Sequence, residues 1–309
     1  MSLDKGQVCV LIPTLNEAPT IARLIFEFRQ LGYDNLLVID GHSTDETRTI
    51  AKSSGARVLV QTGRGKGNAV IEAFGLITQP YILMIDGDGT YSPDDADRML
   101  EPLLQGVDQV IGDRLTDENR GSFSRLNYTG NQILNRLFKV AHGRYLSDIL
   151  SGYRAFTLEA ARQMHLKESG FGIEAEISAE GARNNQDIRI VPVRYRKRSG
   201  SPTKLNPFHD GIKITTTIYR LARMSNPLFY FGLIGIIIML AGFVLGIYVL
   251  IEWFKQIEHI PLTILTLLLI VVGFQIFMFG VISDMMLAFH REVIRELQST
   301  KGETNPKKD

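Results

Sequence analysis

Residues 83–95 read LMIDGDGTYSPDD: an apolar run, two carboxylates one residue apart at Asp86 and Asp88, then Ser92 and Pro93. With Ile82 before it, this makes four apolar residues that stop at an Asp-Gly-Asp turn, which describes a short buried strand with an acidic carboxyl end. Ser92 followed by Pro93 reads as the N-cap and first position of a helix, and Asp94 and Asp95 suit the positive end of its dipole. The unit is therefore strand, acidic turn, helix.

The same order of elements precedes it. Strands are expected over residues 8–12, 36–39, 57–60, 81–85, 109–111 and 188–193, and helices over 20–31, 44–53, 68–77 and 93–104. Ser43 with Glu46 reads as a capping box at the start of the second helix. Strands separated by helices predict an α/β fold with a mostly parallel sheet flanked by helices. Such sheets take their ligands at the carboxyl ends of the strands. There the sequence places PTLNE, DGHSTD, DGD and GDR, after the first, second, fourth and fifth strands.

The chain has 309 residues, 45% of them hydrophobic, enough for one sizeable domain and something smaller and too apolar for a disordered chain. A formal net charge of +1 argues against a nucleic-acid partner. The single cysteine, Cys9, permits no internal disulfide and, inside VCVLIP, reads as a small buried residue. The opening MSLDKGQ lacks a signal-peptide pattern, so the first domain is expected in the cytosol.

Beyond Pro227 the composition changes. Residues 228–251 and 261–283 carry no charge, and at about 1.5 Å per residue each exceeds a hydrocarbon core of about 30 Å. They predict two transmembrane helices in a hairpin. Arg220, Arg223, His290, Arg291 and Arg295 make the flanks more basic than the connecting loop, which puts both termini on the cytoplasmic side of the cell membrane. Residues 209–224 space Ile214, Ile218 and Leu221 at helical intervals and suit an amphipathic helix along the membrane surface. The expected division is 1–205, an α/β domain; 206–226, an interfacial region; 227–289, the two spans; and 290–309, a cytosolic tail, disordered from Ser299.

The glycine-rich TGRGKGN follows Lys66 with Gly67 instead of Ser or Thr, so it is no Walker A loop, and no G-x-G-x-x-G opens the first helix. Asp86-Gly87-Asp88 differs. Paired carboxylates on a strand end can hold Mg²⁺ or Mn²⁺ and leave positions for phosphate oxygens and water. An Asp-Gly pair is also an ordinary turn, but its alignment with other acidic strand ends favours the cation.

Taken in order, VLIPTLNEAPTI, LLVIDGHSTDETRTIA, GKGNAV and ILMIDGDG resemble the family-2 glycosyltransferases with the GT-A fold, over about residues 7–205. VIGDR, SDILSGYRAF, GFGIEAEI and VRYRKRSGSPTKL are similar to segments of the polyprenyl-phosphate branch, the dolichyl-phosphate mannose and glucose synthases, with the archaeal hexose synthases nearest in wording. The resemblance implies transfer of a hexose from a nucleotide sugar to dolichyl or polyprenyl phosphate with Mg²⁺ or Mn²⁺ as cofactor. UDP-glucose or UDP-N-acetylglucosamine is favoured over GDP-mannose, and a homo-oligomer is open.

By the same resemblance Pro13, Leu15, Glu17 and Asp40 line the nucleoside pocket, and Lys66, Asp86, Gly87, Asp88, Arg198 and Lys204 complete the nucleotide-sugar site. Glu17 also fits a plain acidic helix start. Asp88 is the metal ligand, joined by Thr90 where many relatives carry Gln; Asp86, Asp88, Arg114 and Arg198 are the catalytic set. Arg114, Arg125, Thr129 and Ser151 would hold the acceptor phosphate, although Arg125 and Thr129 equally suit a solvated helix face. Arg154 is either a motif residue or a structural partner of Asp148, and Glu174 and Glu176 either touch sugar hydroxyls or cap and solvate a helix. A single displacement by a lipid phosphate would invert the anomeric carbon. The alternatives are a transferase extending a lipid-linked oligosaccharide or polysaccharide, and a non-catalytic nucleotide-sugar-binding membrane protein.

Overall fold

A computed structural model describes residues 3–303 apart from 124, 171 and 198–206. The first compact unit runs to Ile218 and the second from Tyr219. In the first, β1 (Val8–Thr14), β2 (Leu36–Asp40), β3 (Arg57–Val60), β4 (Tyr81–Met84), β5 (Gln109–Asp113), β6 (Arg154–Thr157) and β7 (Ile188–Pro192) form one sheet in the order β3-β2-β1-β4-β6-β5-β7. Only β6 runs antiparallel to its neighbours. The mostly parallel sheet expected from the alternation is present, but β6 was not foreseen. It opens with Arg154, a charge that interrupts the apolar pattern by which strands are recognised.

The connecting helices are α1 (Ala18–Gln30), α2 (Thr47–Ser53), α3 (Lys66–Leu76), α4 (Ala96–Leu104), α5 (Arg125–His142), α6 (Leu158–Arg162) and α7 (Ile173–Arg183). Every residue of β1 and β2 is buried, because helices cover both faces of the sheet. Alternate side chains divide between two cores: Val8, Val10 and Ile12 meet Ile21, Leu24 and Phe28, while Cys9 and Leu11 meet Ala69, Val70 and Phe74. Burial pushes the Cys9 thiol up to about 12, against an opposing pull from Arg57, so it stays a protonated packing group.

The capping box does not form. α2 starts at Thr47, behind Glu46, which makes no side-chain cap. The Ser43 hydroxyl instead accepts from the Asn16 N–H at 2.8 Å, a partner from another loop that local sequence does not reveal. Ser92 precedes Pro93 as expected, but its hydroxyl donates to Asp94 at 3.2 Å and a 3-10 turn, Pro93–Asp95, leads into α4. Asp95 is buried and accepts from the Arg194 N–H at 2.8 Å, so it ties the turn to the chain after β7.

Helix α8 (Pro207–Ser225) buries Ile214 and Ile218, and the Ile218 carbonyl accepts from His142 Nε2 at 3.3 Å. The imidazole stacks on Phe138 with ring centroids 4.4 Å apart. Two helices, α9 (Pro227–Phe254) and α10 (Ile260–Glu303), form the second unit. Pro227 occupies the first turn of α9 and the Asn226 side chain accepts from the Phe229 N–H at 3.0 Å, a cap that fixes where the apolar helix begins. Both helices are long and apolar enough to cross a membrane. α10 continues to Glu303, through the expected tail from residue 290 and past Ser299, where disorder was expected, since no proline or glycine interrupts residues 281–301.

The two helices touch backbone to backbone. A methyl group at Gly235 would lie 2.6 Å from the Gly273 carbonyl oxygen, and one at Gly273 would lie 2.8 Å from that of Gly235. A G273L substitution should separate α9 from α10 and destabilise the hairpin by about 1–3 kcal/mol, an overpacking effect. Reduced protease resistance of the 227–289 region, with nucleotide binding by the first unit retained, is the expected readout.

Burial lowers the His142 pKa from 6.5 to about 4, so the folded protein holds it neutral. The unfolded chain takes up a proton below about 6.5 and the folded one does not until about 4. Stability should therefore fall as pH drops through this window, by up to about 3 kcal/mol. H142Q should flatten that part of the melting temperature's pH dependence, measured between pH 7.5 and 4.5.

Candidate active site

Hydrogen bonds between neighbouring loops assemble the acidic strand ends. After β1, Asn16 turns the chain with φ 51°, and its carboxamide oxygen accepts from the Thr44 N–H at 2.8 Å. The Glu17 N–H donates to Thr47 Oγ1 at 2.8 Å, and Asp40 Oδ2 accepts from the Ser43 N–H at 2.7 Å. The β1–α1 and β2–α2 loops are thus laced together, which brings buried Glu17 and Asp40 to one edge. Pro13 is buried within β1, whereas Leu15 stands 40% exposed beside them, open to a ligand.

Beyond β4 the acidic turn is fixed from inside. Asp88 Oδ1 accepts from the Thr90 N–H at 3.1 Å and from its hydroxyl at 2.6 Å, closing an Asx turn. The Gly87 carbonyl accepts from Thr20 Oγ1 at 2.7 Å. Asp86 pairs with Lys66, whose ammonium also lies 2.5 Å from Glu174. Burial works against the ammonium, but Asp86 and Glu174 outweigh it and hold Lys66 protonated well above the ordinary lysine value. Lys66 sits at the first position of α3, which the Gly67 N–H pins to the Ser169 carbonyl at 3.0 Å.

Arg114, expected to face phosphate, turns its guanidinium to buried Asp148, with Nε–Oδ2 at 2.7 Å and Nη2–Oδ1 at 2.8 Å. It lies 5.4 Å from the Tyr195 ring centroid and 5.8 Å from that of Phe123. Arg154 does not bond directly to Asp148. It is fully buried and donates to the Ser151 and Ile149 carbonyls and to Ser178 Oγ, and burial lowers its pKa to about 10, still protonated at neutral pH.

Ser151, expected on the acceptor phosphate, is also fully buried, with its hydroxyl between Tyr91 and Tyr153. Glu174 and Glu176 are buried, so neither solvates a helix. Glu176 accepts from the Lys167 and Glu168 N–H groups at 2.9 and 2.7 Å and shapes the loop before α7. Thr129 is exposed on α5. Arg198 and Lys204, and the side chain of Arg125, lie outside the described residues.

Among the described residues no group of three or more His, Cys, Asp and Glu side chains could hold a metal by itself. Asp86 and Asp88 remain as a two-carboxylate donor set on a rigid turn, and Asp86 is the one already engaged by Lys66. Such a set fits a divalent cation whose remaining positions go to phosphate oxygens and water.

The sequence profile of "Glycosyl transferase family 2" matches residues 9–163, half of the chain, and spans the laced loops, Lys66, the acidic turn, Arg114 and Arg154. The chain belongs to this family. Among relatives it is 48% identical over 294 residues to glycosyltransferase AglJ of Haloferax volcanii, covering 94% of this chain and 97% of that one. It is 32% identical over 216 residues to the dolichyl-phosphate hexose transferase of the same organism, covering 69% and 93%. Glucosyl-3-phosphoglycerate synthase of Mycobacterium tuberculosis, solved with Mn²⁺ and UDP-glucose, shares the fold at TM-score 0.57 and 22% identity, over 73% of this chain and 84% of that one. The protein is a glycosyltransferase with the GT-A-like mixed sheet expected from its motifs.

Reading strand ends found Asp40, Asp86 and Asp88, and Lys66 and Thr90 were named with them, but Tyr91 and Gly152 beside Asp86 were missed. Gly152 N–H donates to the Tyr91 hydroxyl at 2.9 Å, and a methyl group at Gly152 would fall 2.2 Å from Asp86 Oδ2. Only the SGYRAF motif hinted at this glycine. A G152A enzyme should keep its melting temperature within a few degrees while glycosyl transfer drops at least tenfold, because Asp86 must leave its place beside Lys66. Unchanged kcat/KM would show that Asp86 is not needed there.

Proposed function

We propose that this glycosyltransferase moves a hexose from a nucleoside diphosphate to a polyprenyl or dolichyl monophosphate at a membrane surface and inverts the anomeric carbon. The observation that carries the reading is the acidic turn at Asp86 and Asp88, set beside partly buried Lys66 on the same sheet edge as buried Glu17 and Asp40. The name of the Haloferax dolichyl-phosphate hexose transferase supports the lipid acceptor, and the Mn²⁺ and UDP-glucose bound to the Mycobacterium enzyme support a metal-assisted uridine donor. UDP-glucose or UDP-N-acetylglucosamine is the favoured donor, ahead of GDP-mannose.

In this reading Leu15, Glu17 and Asp40 hold the nucleoside, and Asp88, oriented by Thr90, would hold Mg²⁺ or Mn²⁺. The bound cation supplies Lewis-acid neutralisation of the leaving diphosphate. Lys66 fixes Asp86 and adds positive charge at the donor. Arg198 and Lys204, six residues apart, bind the diphosphate and the acceptor phosphate, and Arg114 keeps its face of the site rigid through Asp148.

A lipid monophosphate is largely dianionic at neutral pH, its second pKa being about 6, so no strong general base is required. The physical problem is the approach of two anions, which basic side chains offset.

The acceptor end of the site begins at α5, where Leu126, Ile133 and Val140, spaced seven apart, are all more than half exposed beside Thr129, Arg136 and Lys139. An apolar line flanked by cations suits a lipid surface. α9 and α10 serve as the two spans, with the catalytic unit and both termini in the cytoplasm.

A panel of UDP- and GDP-sugars with dolichyl phosphate and Mg²⁺ should give one strongly preferred donor. The NMR coupling at the anomeric carbon of the product should report a β-linkage from an α-linked donor. Retained configuration would overturn the single displacement, and transfer to sugar hydroxyls without any lipid phosphate product would overturn the acceptor.

A further inference from the structure

Three adjacent parallel strands end in buried polar atoms that find no hydrogen-bond partner among the described residues. These are Thr14 Oγ1 at the end of β1, Asp40 Oδ1 at the end of β2, and both amide atoms of Gln61, the residue after β3. Thr14 and Asp40 are register partners, and the Gln61 N–H donates to the Asp40 carbonyl at 3.0 Å. Gln61 is 2% exposed and Asp40 fully buried. A buried amide with neither its donor nor its acceptor satisfied is rare and destabilising unless something else supplies the partners.

Location separates Gln61 from Gln109, the other glutamine among the described residues with both amide atoms unsatisfied. Gln109 is equally buried and unpartnered but opens β5, at the edge where the parallel strands begin. Gln61 lies at the carboxyl edge, where ligands of such sheets bind. Between it and Asp40 is Gly41, whose absent side chain leaves a cradle. A methyl group there would lie 3.2 Å from the Thr14 carbonyl oxygen, 3.4 Å from Gln61 Nε2 and 3.6 Å from Leu15 Cβ. Leu15, 40% exposed, is the apolar group beside this cradle and offers a surface on which a flat ring can pack.

We infer that Gln61 is a specificity residue that, with Asp40, reads the keto edge of the donor base over Gly41. The inference rests on the nucleotide-sugar reading above. The Gln61 amide offers both N–H donors and a carbonyl acceptor, and the Asp40 carboxylate offers acceptors. A carbonyl next to a ring N–H, the pair shared by uracil and guanine, matches a donor from Gln61 and an acceptor from Asp40. Cytosine and adenine present the reverse, an exocyclic amine next to an unprotonated ring nitrogen. They leave the Gln61 N–H facing an amine and the Asp40 carboxylate facing a lone pair.

The test is calorimetric binding of UDP, GDP, CDP and ADP with Mg²⁺ to the full-length protein in nanodiscs. Wild type should bind UDP or GDP at least tenfold more tightly than CDP and ADP, and the UDP and GDP arms tell which keto base is taken. Q61L should weaken the preferred nucleotide about ten- to a hundredfold and leave CDP unchanged, a loss typical of one paired base contact. Q61E, acceptor-only, should narrow the gap to CDP, whose amine can donate to it. The Mg²⁺ dependence of binding should stay as in wild type, which a general loss of the site would not allow.

G41A leaves the amide intact and fills the cradle, and should weaken the keto base as well. Thermal melts identify any variant that fails to fold, and the remaining variants then carry the test. Wild-type affinity for UDP and GDP in the folded variants, or equal binding of all four bases by wild type, would overturn the role of Gln61 while leaving sugar transfer intact. If wild type bound none of the four, the nucleotide-donor reading itself would fall, and this inference with it.

Discussion

Partly exposed Asp86 and buried Glu174 can lie close together because the ammonium of Lys66 lies between them. Two carboxylates this close repel strongly in a medium of low polarity, and removing the one cation would leave both without a counter-charge. The rest of the site follows from keeping that ammonium in place. The Ser169 carbonyl anchors the first turn of α3, which carries Lys66; α7 carries Glu174; the end of β4 carries Asp86. Three elements far apart in sequence meet in one ionic contact, and the acidic turn that continues to Asp88 inherits its position.

A second constraint acts across the same edge through neutral hydrogen bonds. Asn16, Ser43 and Thr47 join the loops after β1 and β2, and each bond satisfies a backbone group that would otherwise be stranded beside Glu17 and Asp40. On the other side Asp148 holds Arg114 bidentately under Tyr195 and Phe123, and Arg154 braces the loop before β6 from inside. Thr14, Asp40 and Gln61 differ in keeping unsatisfied buried atoms together at the carboxyl ends of three adjacent strands.

Much of the fold was legible because period and punctuation are local. The apolar runs at β1, β2 and β4 are continuous since both faces of the sheet are covered, and α9 and α10 announce themselves by length and lack of charge. β6 was not legible, since its first residue is a charge whose solvation is provided by carbonyls of the preceding loop. The capping box at Ser43 failed for a similar reason: a residue 27 positions away claimed the hydroxyl.

The sequence by itself determined the alternation of strands and helices, the acidic strand ends and the two apolar helices, because each depends on residues within a few positions of one another. The Asp-Gly-Asp turn and its strand could be read from LMIDGDG alone. Only the tertiary structure decided which charge meets which: Lys66 with Asp86 and Glu174, Arg114 with Asp148, Arg154 with backbone carbonyls, and Gln61 with nothing among the described residues. Those pairings arise from the order in which strands lie side by side. That order depends on how both faces of the sheet bury their apolar side chains, which no local spacing records.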